Sequence, residues 1–269
     1  MPVIDQGGIE IYYEEYGCGK PLLLIHGLGS SCRDWELQLP AFQEGFRVIA
    51  LDLRGHGRSG KPPGSYSMDQ FAGDAAHLLK ALDAFPSHVL GISLGGMVAF
   101  QLALDYPSLV DRLVIVNSVP ELMPRNLTDR LGYWQRLLII RFMGMEKMGQ
   151  VLAERFFTRP EQEPLREIFI RRWSENYKPS YRASLKAAYG WSVRDRLGEI
   201  EAPTLVVGAE GDYFPTAEKQ AYTALIPNAA LAVVPDSRHA LPAEKPAEFN
   251  QLVLDFFSSA EPDRFHSLQ

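Results

Sequence analysis

The sequence predicts an α/β fold: a mostly parallel sheet with helices on both faces and a helical unit inserted before the last strands. Three observations predict it. Short apolar, β-branched runs recur and alternate with helical patterns. A glycine-flanked serine, Gly91-Ile92-Ser93-Leu94-Gly95, stands between one such run and the helical pattern after it. The alternation then fails between about Val119 and Arg196, where the pattern is helical throughout.

The elements follow in order. Gly7-Gly8 precedes Ile9 to Tyr16, which alternates loosely and reads as an antiparallel edge. Leu22 to His26 is a continuous apolar run, as expected of a strand buried on both faces. Phe46 to Leu51, His88 to Gly91, Leu113 to Val116, Thr204 to Val207 and Leu231 to Val234 share that character. Met68 to Leu82 and Leu94 to Tyr106 carry helical patterns, and Pro107 stops the second. No internal repeat or low-complexity segment interrupts the series.

In the helical stretch, Leu131, Trp134, Leu138, Phe142, Met145, Met148, Leu152 and Phe156 recur at steps of three or four. That spacing paints one helix face, with Gly144 and Gly149 as places where the helix bends. Charge separates this stretch from the rest. Residues 120–196 hold 15 Lys/Arg and 9 Asp/Glu of the chain's 27 and 33, leaving 12 and 24 elsewhere. A basic unit on an acidic body predicts a core of residues 1–119 and 197–269 and a helical cap of residues 120–196. Trp134 and Met143 in the cap, with Leu28 beneath it, are the expected substrate contacts.

Composition narrows the classes. With 46% hydrophobic and 22% charged residues in 269, the chain is globular. The arginines are interleaved with acids and form no basic block, which argues against a nucleic-acid partner. No apolar run approaches the roughly 20 residues of a membrane span. The start Met1-Pro2-Val3-Ile4-Asp5 lacks a basic and an apolar leader region, so a cytoplasmic location is expected. Cys18 and Cys32 make no disulfide framework and no metal spacing. Nothing in the pattern specifies an oligomeric state.

The serine motif carries the chemistry. A hydroxyl becomes a useful nucleophile when a sharp strand-to-helix turn thrusts it toward a base, and crowding there demands small residues two positions away on either side. Gly91 and Gly95 meet that demand. The base should lie at the carboxyl end of another strand. Of six histidines, His239 does so, in the loop after Leu231 to Val234. His88 lies at the wrong end of the serine's own strand, and His266 lies in a polar tail. The acid that orients the base belongs between them in sequence. Asp212, after Thr204 to Val207, is preferred over Glu210 and over Asp236 of the histidine's own loop. Backbone N–H groups of Leu94 and Leu28 are placed to hold a developing oxyanion. His26 reads as a loop brace, as does Asp52-Leu53-Arg54-Gly55-His56-Gly57. That segment lacks the ending of a phosphate-binding loop.

Together His26-Gly27-Leu28-Gly29, Asp52-Leu53-Arg54-Gly55-His56-Gly57, Gly91-Ile92-Ser93-Leu94-Gly95-Gly96, the Asp212 loop and His239 before Pro246-Ala247-Glu248-Phe249 resemble the α/β-hydrolase superfamily. The likeness is to its serine esterase, lactonase and carbon–carbon hydrolase branch, from about Gly8 to Phe257. It implies an eight-stranded sheet, a helical cap, a covalent acyl-enzyme and no metal or cofactor. Ser93 argues against the dehalogenase and epoxide-hydrolase branches, which use aspartate there. Leu28 stands where perhydrolases carry an aromatic residue, and enol-lactonases often lack the His26-Gly27 pair.

The leading expectation is a carboxylesterase acting on a small-molecule ester of short to medium acyl chain or an aromatic ester. Hydrolysis of a lactone or a β-diketone-type carbon–carbon bond on the same triad is the alternative within enzymes. A ligand receptor with a slow residual triad is the alternative from another class.

Overall fold

The computed structural model describes residues 2–124 and 126–259, so the tail that carries His266 lies outside the described residues. Eight strands form one sheet: β1 Val3–Asp5, β2 Glu10–Tyr16, β3 Lys20–Ile25, β4 Phe46–Leu51, β5 Ser87–Ile92, β6 Val110–Val116, β7 Thr204–Ala209 and β8 Ala229–Val234. Their spatial order is β1-β2-β4-β3-β5-β6-β7-β8. β1 and β2 pair antiparallel, β2 joins β4 antiparallel, and β4 to β8 are mutually parallel. β1 extends the expected edge by one short strand.

Each central strand feeds both faces because successive side chains alternate. Leu23 and Ile25 of β3 join the core that includes Ile49, Leu51, Phe71 and Phe100. Leu22 and Leu24 enter the opposite core with Val48, Val114, Phe249 and Phe256. Helices α1 Met68–Ala81 and α2 Leu94–Asp105 cover the first face. Ser67 caps α1, accepting from Gln70 N–H while the Gln70 side chain accepts from Ser67 N–H. α2 is buried from Leu94 to Leu104, which suits a helix wedged against the sheet centre.

Between β6 and β7 the chain forms α3 Leu127–Phe142, α4 Gly144–Phe156, α5 Glu163–Ser174 and α6 Lys178–Ala188. They build a third hydrophobic cluster around Met145, Met148, Leu152, Phe156 and Trp173. Among the described residues no helix is long and apolar enough to cross a membrane.

The single helix face expected from Leu131 to Phe156 is two faces. Gly144 has φ +89, and this left-handed residue breaks the helical phase. Met145, Met148, Leu152 and Phe156 turn inward, whereas Leu131, Trp134, Leu138 and Phe142 turn out to solvent. Gly149 makes no bend. It lies inside α4, where an added methyl would stand 2.9 Å from the Trp173 Cβ.

Candidate active site

β5 ends at Ile92 and α2 begins at Leu94, so Ser93 is the whole turn. Its φ of 54° and ψ of −117° lie where L-residues rarely sit. The turn is this tight because nothing lies in its way. A methyl on Gly91 would overlap the Gly95 carbonyl, and one on Gly95 would overlap the Ile25 carbonyl. Ser93 N–H donates to the Val116 carbonyl, and the Ser118 hydroxyl donates to the Ser93 carbonyl at 2.6 Å.

The loop after β3 closes on this elbow. A Cβ built on Gly27 would stand 3.5 Å from the Ser93 Cβ. Leu28 N–H and Leu94 N–H have no protein acceptor among the described residues. For Leu94 this follows from its place as the first residue of α2, whose leading N–H groups lack intrahelical partners. His26 braces the loop. Its Nδ1–H donates to the Gly27 carbonyl at 2.7 Å, and its Nε2 accepts from Leu53 N–H at 3.0 Å.

His239 follows β8, and Asp212 follows β7. His239 Nδ1 lies 2.7 Å from Asp212 Oδ1. Glu210 turns elsewhere and accepts from Asp236 N–H, while Asp236 pairs with Arg159 at 2.6 Å. Asn117, at the end of β6, ties the two loops together. Its Oδ1 accepts from Ala209 N–H at 2.8 Å and its Nδ2 donates to the His239 carbonyl at 3.0 Å.

The Asp212 side chain is fully buried, and its second oxygen meets Lys219 Nζ at 2.6 Å. Lys219, on α7 Thr216–Thr223, is fully buried too. Burial pushes the Asp212 carboxyl up, but the hydrogen bond from His239 and the Lys219 charge outweigh it and hold it below its ordinary value. An ionised Asp212 fixes the His239 proton on Nδ1 and leaves Nε2 a bare acceptor.

That acceptor is occupied by Tyr213. Its hydroxyl lies 2.9 Å from His239 Nε2, and both residues line the cavity that Ser93 also lines. The tyrosine ring packs against the imidazole at 4.1 Å between centroids. Tyr213 is 52% exposed, and the surface it shows borders a cavity of about 1100 Å³. Desolvation pushes its hydroxyl well up, so it is a neutral phenol.

Ser93, His239, Leu28 and Leu94 all line this cavity, roofed by Ile139, Met148, Leu152 and Phe156. Two expected substrate contacts do not. Trp134 is 60% exposed, Met143 is 58% exposed, and neither borders the cavity. The opposite face of α3 does so, through Tyr133, Arg136 and Ile139.

Three residues of the site went unread in the sequence. Tyr213 had a signal, its adjacency to Asp212 in a loop aimed at the imidazole. Asn117 and Lys219 had none: a strand-end amide and a helical lysine look ordinary until the fold buries them.

A family model described as alpha/beta hydrolase fold matches residues 20–246. A non-heme haloperoxidase of Rhodococcus erythropolis is 30% identical, covering 96% of this chain and 100% of its own. A 3-oxoadipate enol-lactonase of Acinetobacter baylyi is 28% identical over 91% of this chain and 92% of its own. The crystal structure of a hydrolase from Pseudomonas aeruginosa superposes with a TM-score of 0.87 at 30% identity, covering 96% of this chain and 98% of that one. With the serine elbow at the carboxyl edge of an eight-stranded sheet, these likenesses place the chain in the α/β-hydrolase family.

Proposed function

We propose that the protein hydrolyses small to medium carboxylic esters through an acyl-enzyme on Ser93. The observation that carries this reading is the strained Ser93 elbow on the wall of the same cavity as the hydrogen-bonded series Asp212–His239–Tyr213. Ser93 Oγ attacks the ester carbonyl. Its proton passes to Tyr213 Oη as the Tyr213 proton passes to His239 Nε2, so the phenol is neutral before and after. Asp212 stabilises the imidazolium that forms. Leu28 N–H and Leu94 N–H hold the oxyanion, each contributing about 3–4 kcal/mol by analogy with single-donor deletions.

Collapse of the tetrahedral intermediate breaks the C–O bond, and His239 protonates the departing alkoxide. Water then attacks the acyl-enzyme with the same base and releases the acid. The apolar roof from Met148, Leu152 and Phe156 favours short acyl chains or aromatic groups.

Lactone opening is the second reading, since an internal ester needs the same groups and a relative of 28% identity is named an enol-lactonase. Turnover of p-nitrophenyl butyrate tests the serine chemistry. Ser93→Ala should abolish it, and turnover near wild type would end the proposal.

A further inference from the structure

Arg136 is a cation of the cavity wall that ends on no carboxylate. Of the other arginines on that wall, Arg33 pairs with Glu175, Arg58 with Glu14 at 2.6 Å, and Arg172 with Glu36 at 2.8 Å, while Arg155 is exposed. Arg136 is half-buried, and both its Nε, at 2.7 Å, and its Nη2 converge on the Tyr181 hydroxyl. No carboxylate reaches it among the described residues.

A guanidinium presents five N–H donors in a planar fork. Two meet one phenol oxygen, and that phenol does not neutralise the charge. Tyr181 is 1% exposed, and burial pushes its hydroxyl up. Tyr181 therefore fixes the fork without discharging it. Arg136 lines the same cavity as Ser93, Tyr213 and His239, and the Tyr213 hydroxyl is bonded to His239 there. An unpaired, partly desolvated cation and the nucleophile thus share one chamber. A planar fork fits a carboxylate with two parallel hydrogen bonds.

We infer that Arg136 anchors a carboxylate on the substrate, so the natural substrate is an anionic ester or lactone whose free acid group docks on α3 while its ester carbonyl faces Ser93. This rests on the serine-hydrolase reading above and deepens it. Tyr181 acts as the positioning residue that holds the fork in place.

The test compares monoethyl esters of C4 to C8 dicarboxylic acids with the matching diethyl esters. Wild type should prefer the half-ester in kcat/KM. A wild type that prefers the diester overturns the proposal with no variant involved. In Arg136→Gln the half-ester to diester ratio should fall by roughly 10- to 100-fold, the range for losing hydrogen bonds to a charged group, carried by KM. Arg136→Lys should restore part of it. A ratio unchanged in Arg136→Gln, with both substrates slowed alike, would show that Arg136 only braces α3 against α6, and would also overturn the proposal. Hydrolysis of p-nitrophenyl butyrate that is lost in Ser93→Ala keeps the two readings apart: it upholds the serine chemistry even where the half-ester preference fails.

Discussion

The Tyr213 hydroxyl lies 2.9 Å from His239 Nε2, in the place where a serine proton must arrive. Asp212 holds the other nitrogen at 2.7 Å, so the imidazole is clamped at both ends.

Tyr213→Phe keeps the ring that packs on His239 and removes the hydroxyl that meets its Nε2. We expect kcat to fall by about 10- to 100-fold, less than the full contribution of a general base. Burst and steady-state rates on p-nitrophenyl butyrate check this. A variant faster than wild type would mean that the hydroxyl obstructs the site instead of serving it.

Lys219→Met leaves a buried carboxylate with the His239 Nδ1–H as its remaining side-chain partner and no lysine charge beside it. Breaking a buried pair from one side costs about 3–5 kcal/mol. Urea unfolding at neutral pH measures it, and a loss under about 1 kcal/mol would show that the pair is not what keeps Asp212 ionised in the folded state.

The fold should weaken in mild acid. His26 needs a neutral ring, since its Nε2 accepts from Leu53 N–H. Burial lowers it from 6.5 to about 4, and lowers His88 to about 4 and His56 to about 3. Between the unfolded and folded values the unfolded chain binds the proton and the native one does not. The stabilisation is therefore complete above pH 6.5 and is lost as pH falls toward 4. Unfolding midpoints at several pH values between 7.5 and 4 check the slope, and a flat profile would contradict it.

Trp134→Ala with Met143→Ala should leave KM for p-nitrophenyl butyrate within about twofold and stability within ~0.5 kcal/mol, as for exposed positions. A tenfold rise in KM would return these side chains to the substrate.

Much of this was legible in the chain. Strands such as Phe46–Leu51 were readable because burial on both faces leaves an uninterrupted apolar run. The Ser93 elbow was readable because its geometry forbids a side chain at Gly91 and Gly95. The helical stretch was legible as helix but not in its orientation. A period of 3.6 says which residues share a face, and one left-handed residue at Gly144 decided which way each face points.

The sequence by itself determined the layered architecture and the residues that follow each strand, since periodicity and steric exclusion act over a few neighbouring positions. Only the tertiary structure decided that Tyr213 meets His239, that Lys219 reaches Asp212 and that Arg136 faces the cavity unpaired. Those contacts depend on the relative placement of β7, β8, α3 and α7, and packing between elements sets that placement without leaving a local pattern.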